Sequence, residues 1–401
     1  MNTKKQGLPW YLLLVYGVYF LYYFEDMQTS ANTMVKQTES RGQVHLYLIV
    51  LIVLLGVYFL TRGRWRLDDG FRSSFLLLVG WCAVADLLVG ANFWNIATHI
   101  GLLALFYLIY YFGGHYIDSQ QRYRMILALE FILWCITLWY AISAFLKYRE
   151  YMGEEADVVL NMAYNMLVFI PILMQLKNRV LKGASVAISV IYIVASLKRG
   201  AIIAMIAMFL VAYFVGTRND KNEGFRINTK TASKALLVGV AIVIVMVVVN
   251  NKMGGALAGR FSWEELQGGS NRSRLYAAAW NDVKVRNPLL FLIGRGSGSS
   301  LRIIGSGIHN EILEFLFAYG LIGLCMYLAV VFSGIGRAAK LKKENSPAKA
   351  MYAMGITYLI CVGLVGSALF SHMSFHIMMA MGLANSPVNM NQEGRLTDGR
   401  Q

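Results

Sequence analysis

The sequence predicts an all-α integral membrane protein that crosses the bilayer about twelve times. Three observations carry this expectation. Charge is too scarce for a soluble chain, apolar residues gather into bilayer-length blocks, and basic residues are confined to the gaps between blocks. Of 401 residues, 57% are hydrophobic, 13% aromatic and only 15% charged, and the mean hydropathy is +0.51. A soluble domain carries roughly a quarter charged residues. The apolar blocks run to about 16–22 residues, the length that crosses about 30 Å of hydrocarbon at 1.5 Å per residue. They must be helical, because an unpaired backbone amide in lipid costs several kcal/mol.

In chain order the spans are expected at 8–24, 43–60, 73–90, 93–113, 125–146, 158–176, 183–196, 201–216, 235–250, 311–332, 350–369 and 373–385. The first follows Lys4 and Lys5, ends in Glu25 and Asp26, and lacks a small-residue cleavage site. It therefore reads as a retained helix rather than a cleaved signal. Nine spans fill residues 1–250, a long loop covers 251–310, three spans fill 311–385, and a polar tail follows at 386–401.

The basic residues orient this set. With the amino terminus inside, the inner segments hold 23 Lys and Arg and the outer segments 14, of which 8 lie in the 251–310 loop. The excess of positive charge on one side of short loops fixes orientation, so both termini are expected in the cytoplasm. The exception is that loop, which carries Lys252, Arg260, Arg272, Arg274, Lys284, Arg286, Arg295 and Arg302 against Glu264, Glu265 and Asp282. A long loop is translocated regardless of charge, so a solvated basic surface is one reading. The other is a site for an anionic ligand outside the membrane, such as a lipid headgroup or a lipid-linked phosphate. Basic residues held against a bilayer do not suit nucleic acid.

Within the loop, Arg272–Asn287 reads as one helix that Pro288 stops. Leu275, Tyr276, Ala279, Trp280 and Val283 form its apolar stripe, which either lies in the membrane interface or packs on the bundle. Ser196-Leu197-Lys198-Arg199-Gly200 is a turn between two apolar runs. Its basic pair either snorkels or serves a ligand. His309-Asn310-Glu311 opens the tenth span, where an imidazole of ordinary pKa near 6.5 exchanges a proton at neutral pH.

Plainer expectations attach to other groups. Asp86, Glu130, Glu314, His372 and His376 lie within about two turns of helix ends, close enough to snorkel to water. Cys82, Cys135, Cys325 and Cys361 fall in spans and imply no disulfide or metal framework. Glu154, Glu155 and Asp157 read as a solvated loop rather than a cation site. The glycines of Gly294–Gly298 shape a tight loop.

Four segments together resemble the O-antigen ligase and polymerase superfamily. Ser196–Gly200 is similar to its Ser-x-x-Arg-Gly turn, and Gly269–Arg274 with Tyr276 and Trp280 to its Ser-Gly-Arg segment and following Trp. Asn287-Pro288-Leu289-Leu290 with Gly294–Gly298 resembles its Pro-Leu…Gly-x-Gly stretch. His309-Asn310, with Gly320 eleven residues after the His, matches its His-Asn start and spacing. The resemblance is concentrated in residues 196–323, and the family's loop arginine aligns with either Arg272 or Arg274.

This resemblance implies a C-type glycosyltransferase architecture and an enzyme of polysaccharide biosynthesis. It would join undecaprenyl-diphosphate-linked oligosaccharide repeat units on the outer face of the bacterial cytoplasmic membrane. Arg199 with Arg272 or Arg274 would bind the donor diphosphate, and His309 would orient or deprotonate the acceptor hydroxyl. Lys198, Asn310, Arg260, Arg295 and Glu311 are the expected substrate contacts. Guanidinium groups stay protonated and grip phosphate oxygens in a fork, so no metal or other cofactor is expected. The implied partners are the lipid-linked donor and acceptor, membrane lipids and a regulator of chain length. A ligase delivering finished glycan to a lipid or protein acceptor is the near alternative, and a glycan transporter the distant one. Transporters bind near the bilayer midplane on broken helices, whereas the charges here concentrate in one external loop.

Overall fold

The computed structural model describes residues 10–32, 42–62, 69–152, 161–216, 243–252, 254–262, 272–343, 346, 348–371, 373–386 and 388. Among these the regular structure is entirely helical. The helices are α1 Trp10–Asn32, α2 Gly42–Arg62, α3 Gly70–Leu88, α4 Phe93–His115, α5 Gln120–Met152, α6 Met162–Leu167, α7 Ile170–Leu173, α8 Arg179–Ala195 and α9 Arg199–Gly216. After them come α10 Val243–Lys252, then α11 Ala256–Arg260, α12 Arg272–Lys284, α13 Pro288–Ile293 and α14 Ser299–Ile304, and finally α15 Glu311–Lys343, α16 Lys349–Val365 and α17 Ser374–Ala384.

Among the described residues, five helices are long and apolar enough to cross a membrane: Gly70–Leu88, Phe93–His115, Gln120–Leu146, Arg199–Gly216 and Glu311–Lys343. Their outward faces carry exposed apolar side chains such as Leu77, Ile132 and Leu210. Such surfaces suit lipid and are rare in water. The inner packing joins α9 to α16, α17 to α4 and α3 to α15, with α2 against both α1 and α4.

Helix starts follow short polar caps. Asp69, Asn92, Asn178 and Asn287 each accept a hydrogen bond from an amide in the first turn of α3, α4, α8 and α13. Each cap supplies an acceptor to an amide that has no partner within its helix.

Several boundaries depart from the apolar blocks. The sixth block does not form one helix: α6 and α7 are separated at Val168–Phe169, and Pro171, at the start of α7, lacks the amide that would continue the ladder. The tenth block runs on to Lys343 but breaks at Gly320, where φ is 70° and ψ −169°. The eleventh ends at Val365, and a non-helical stretch leads to the short α17. Every residue of α17 is buried.

The break in α15 is built by two glycines on different segments. At Gly294 (φ 83°, ψ −163°) an added Cβ would lie 2.3 Å from the Ala318 carbonyl oxygen. At Gly320 it would lie 2.2 Å from that of Leu292. The amides of Arg295 and Gly296 donate to Phe317 and Ala318 at 3.2 and 2.7 Å, so the loop after α13 pairs with the interrupted turn. Irregular backbone at membrane depth needs such protein partners.

Snorkelling, expected for the ionisable groups near helix ends, is not what the fold does with four of them. Asp86 is fully buried and accepts from the Ser297 amide at 2.6 Å and from the Ser297 hydroxyl, which also meets the Tyr319 hydroxyl at 2.8 Å. Glu130 and His376 are both fully buried and 2.6 Å apart. Tyr16 donates to Glu130 at 2.7 Å, and the Tyr19 hydroxyl lies 3.0 Å from the other His376 nitrogen. Glu314 is buried as well. The partners come from distant segments, which turns an expensive group into a satisfied one. His372 and the Glu154, Glu155 and Asp157 cluster lie outside the described residues.

Polar groups segregate to two ends of the bundle. Asp69 and Asp86 flank α3, about 26 Å apart at 1.5 Å per residue. Around Asp69 gather Tyr110, Asn385 and Arg337, linked by hydrogen bonds of 2.6, 2.9 and 2.7 Å. Asp69 and Arg337 come from segments expected inside, Tyr110 and Asn385 from the ends of spans next to them. Around Asp86 gather Ser297, from the loop expected outside, and Tyr319, from the tenth span.

Candidate functional site

The turn between α8 and α9 is shaped before any ligand is considered. Leu197 is buried with φ 54°, and the Ser196 hydroxyl bonds back to the Ile193 carbonyl at 2.6 Å. A non-glycine residue held in this left-handed region marks a backbone that its surroundings over-determine. Lys198 and Arg199, both half-buried, follow on the far side of the turn. Gly200 has no room for a side chain: a Cβ would lie 2.3 Å from the Tyr164 hydroxyl and 2.8 Å from Val365.

A second left-handed residue faces this turn. His309 has φ 57° and precedes α15. Four groups hold its backbone in place. Asn310 caps α15 by accepting from the Leu313 amide at 3.1 Å, while its side-chain amide donates to the Leu364 carbonyl at 3.1 Å. Glu311 is fully buried and accepts from the Leu369 amide and, at 3.2 Å, from Tyr327. Glu314 accepts from the Ile308 amide at 3.1 Å and from the Ser300 hydroxyl at 2.6 Å. The Tyr276 hydroxyl reaches the His309 carbonyl at 3.4 Å.

The two turns and the start of α12 form one cationic cluster. Loss of water around the ring, then the charges of Arg272 and Lys198, hold the His309 imidazole below its usual 6.5. The ring is therefore neutral at pH 7 and able to accept a proton. The charge of Arg272 also reaches Tyr164, and the Lys198 ammonium lies 5.9 Å from the Tyr164 ring centroid. Lys198, Arg272, His309 and Tyr164 thus come together from four separate stretches of chain.

Of the two arginines left open by the sequence, Arg272 is the one beside His309. Arg274, two positions and about 200° further round the helix, is exposed. Arg199 opens α9 next to Lys198. Besides Asn310, two more of the expected substrate contacts have protein partners. Arg295 binds both oxygens of Asp282 at 2.8 and 3.0 Å, and the Glu311 carboxylate is closed in by the stretch after α16. The Arg260 side chain lies outside the described residues.

Asp282 also pairs with Arg286 at 2.7 Å, and Arg286 donates to the Leu316 and Phe317 carbonyls at 3.3 and 3.0 Å. This knot fastens α12 to the carbonyls just before the break in α15. The apolar stripe of α12 follows suit: Ala279 and Val283 pack against Ile308, Leu316 and Phe317, while Trp280 stays 46% exposed. Packing on the bundle, rather than lying wholly in the interface, describes that stripe.

Sequence reasoning missed Tyr164, Glu314 and Asp282 as parts of this constellation. Two signals were available: Asp282, a lone acid among the bases of its helix, and Glu314, an ionisable group in an apolar span that reads as snorkelling. Tyr164 sits inside an apolar run that reads as ordinary span.

Residues 184–328 match the family model described as O-antigen ligase. The matched stretch contains Lys198, Arg199, Arg272, His309 and Glu314, and it supports the resemblance to the O-antigen ligase and polymerase superfamily. It indicates a glycosyltransferase-like function of the ligase or polymerase type on lipid-linked glycans, in a multi-pass membrane protein. The chain matches no curated protein.

Proposed function

We propose that this protein is a polysaccharide polymerase that joins undecaprenyl-diphosphate-linked oligosaccharide repeat units on the outer face of a bacterial cytoplasmic membrane. The observation that carries this reading is the convergence of Lys198 and Arg272 on a neutral His309. Together they offer cations for a diphosphate and a base for a hydroxyl.

In this reading Arg199, Arg272 and Lys198 grip the donor diphosphate. His309 takes the proton of the acceptor sugar hydroxyl as its oxygen attacks C1 of the donor's reducing-end sugar. The new glycosidic C–O bond forms while the C1–O bond to phosphate breaks, with inversion at C1. Undecaprenyl diphosphate leaves with the electron pair, and its growing charge is met by fixed guanidinium groups. Permanently charged arginines give this chemistry without a metal. Asn310 and Glu311 serve by fixing the His309 turn, Arg274 and Arg260 by attracting anionic headgroups, and Arg295 by bracing α12. Twelve spans in a C-type glycosyltransferase arrangement, with both termini inside, would place the cluster outside. A chain-length regulator would act on the same face.

Arg199→Ala and His309→Ala variants that insert normally test the reading. Polymer length on the cell surface should collapse to short or single repeats in both. Wild-type chain lengths in both would reject it. The family description favours one second reading, a ligase that moves finished glycan to another acceptor. Cells lacking the protein decide between the two: accumulated single repeat units on the lipid carrier mean polymerase, and accumulated long polymer means ligase.

A further inference from the structure

We propose that Glu314, tethered by Ser300, is the positioning residue that keeps His309 in its working orientation. This rests on the role given to His309 above and assigns a residue that neither the motifs nor the family match singles out.

His309 has a left-handed backbone, φ 57°, uncommon for any residue but glycine although histidine enters it more readily than most. Neighbouring bonds fix it there. Glu314 holds the amide that directly precedes the histidine. One carboxylate oxygen accepts from the amide of Ile308, the residue directly before it, at 3.1 Å. The other accepts from the Ser300 hydroxyl at 2.6 Å. Both oxygens are thus occupied, and the side chain is buried. Ser300 is itself buried on α14, one turn beyond the Gly294–Gly298 loop.

The arrangement joins two devices. Ser297 fastens the loop to Asp86 at one end, and Ser300 fastens it to Glu314 at the other. The turn of His309 is therefore referenced to α3, which packs against α15. Glu314 does not touch the cations, and Arg272 and Lys198 approach His309 without it. Its contribution passes through the backbone of the histidine.

The test uses full-length protein in nanodiscs. The probe is the undecaprenyl-diphosphate-linked species extracted from cells deleted for the gene. A misplacement of about 1 Å at a catalytic group costs on the order of a hundredfold, so Glu314→Ala should lower kcat at least tenfold while KM stays within about twofold. Glu314→Gln should recover most of the rate, because its amide oxygen still accepts from Ile308. In a His309→Ala background, adding Glu314→Ala should cause no further loss, since a residue acting through His309 has nothing left to position.

Wild-type kcat in Glu314→Ala, a change confined to KM, or full additivity in the double variant would each overturn the proposal. If Glu314→Ala does not insert, Ser300→Ala serves, with about a threefold fall in kcat expected from freeing one oxygen and an unchanged kcat overturning it. A His309→Ala variant as active as wild type sinks the enzymatic reading as well. A dead His309→Ala beside a normal Glu314→Ala sinks this inference alone.

Discussion

Replacing Gly294 by alanine should unfold the protein more readily than any other single glycine-to-alanine change outside the spans, and the size of the effect can be worked out. Gly294 sits at φ 83°, ψ −163°, a region essentially reserved for glycine. Forcing alanine there costs about 1–3 kcal/mol. The new Cβ would also lie 2.3 Å from the Ala318 carbonyl oxygen and 2.5 Å from the Gly320 amide nitrogen. Both are backbone atoms of the clamped turn, so they cannot swing aside as a side-chain tip would. Overpacking of this kind adds about 1–3 kcal/mol, giving about 2–6 kcal/mol in all. Gly305 supplies the control. Its φ is 81° with ψ 3°, yet nothing lies within 4 Å of a built Cβ. Gly305→Ala should therefore cost only the backbone term, about 1 kcal/mol. Thermal unfolding of the two variants in detergent, followed by helical circular dichroism, separates the two contributions. A Gly294→Ala midpoint indistinguishable from that of Gly305→Ala would refute the interlock.

Two further outcomes follow from the site. His309 must be neutral to accept a proton, and its pKa is held below 6.5 by lost water and by Arg272 and Lys198. Activity should therefore fall on the acid side, with a limb below pH 6.5, and Arg272→Gln should move that limb to higher pH. A limb unmoved by that change would remove Arg272 from the vicinity of the ring. Asp282 feels burial, which raises its pKa, but hydrogen bonds from Arg295 and Arg286 outweigh it and hold the carboxyl below its ordinary 3.8. Its stabilising contribution is present above that ordinary value and is lost as pH falls through the lowered one. Asp282→Asn would leave the buried Arg286 guanidinium without its counter-charge, a loss of about 3–5 kcal/mol. Equal thermal midpoints for Asp282→Asn and wild type would contradict this.

Much of the helical architecture could be read from residue order alone, because apolar blocks of bilayer length leave the chain little choice. The blocks could not reveal their own interruptions. Gly320 stands in a run of apolar residues like any other small residue, and only its pairing with Gly294 makes it a break. Pro171 was a visible clue to the divided sixth block. Burial of Asp86, Glu130 and His376 was illegible for a different reason: Asp86 and Ser297 are 211 positions apart, and Glu130 and His376 are 246. An isolated carboxylate near a helix end looks the same whether its partner is water or a distant serine. The Lys198–Gly200 turn, Arg272 and His309 were legible as motifs. That Arg272 rather than Arg274 lies beside the histidine required helix phase, and the protein partners of Arg295 and Glu311 were not visible in the sequence.

The enclosed helix Ser374–Ala384 has a consequence for how the protein is assembled. At 1.5 Å per residue it is about 16 Å long, half the thickness of a bilayer's hydrocarbon. No face of it is available to fatty chains. Lateral partitioning into lipid, the usual route by which a nascent segment leaves the translocon, offers such a segment little. Its driving force is instead the receptacle already formed by α1, α4, α5 and α16, where Glu130 and Tyr19 wait for His376. Retention of this segment therefore depends on its helical neighbours rather than on contact with lipid.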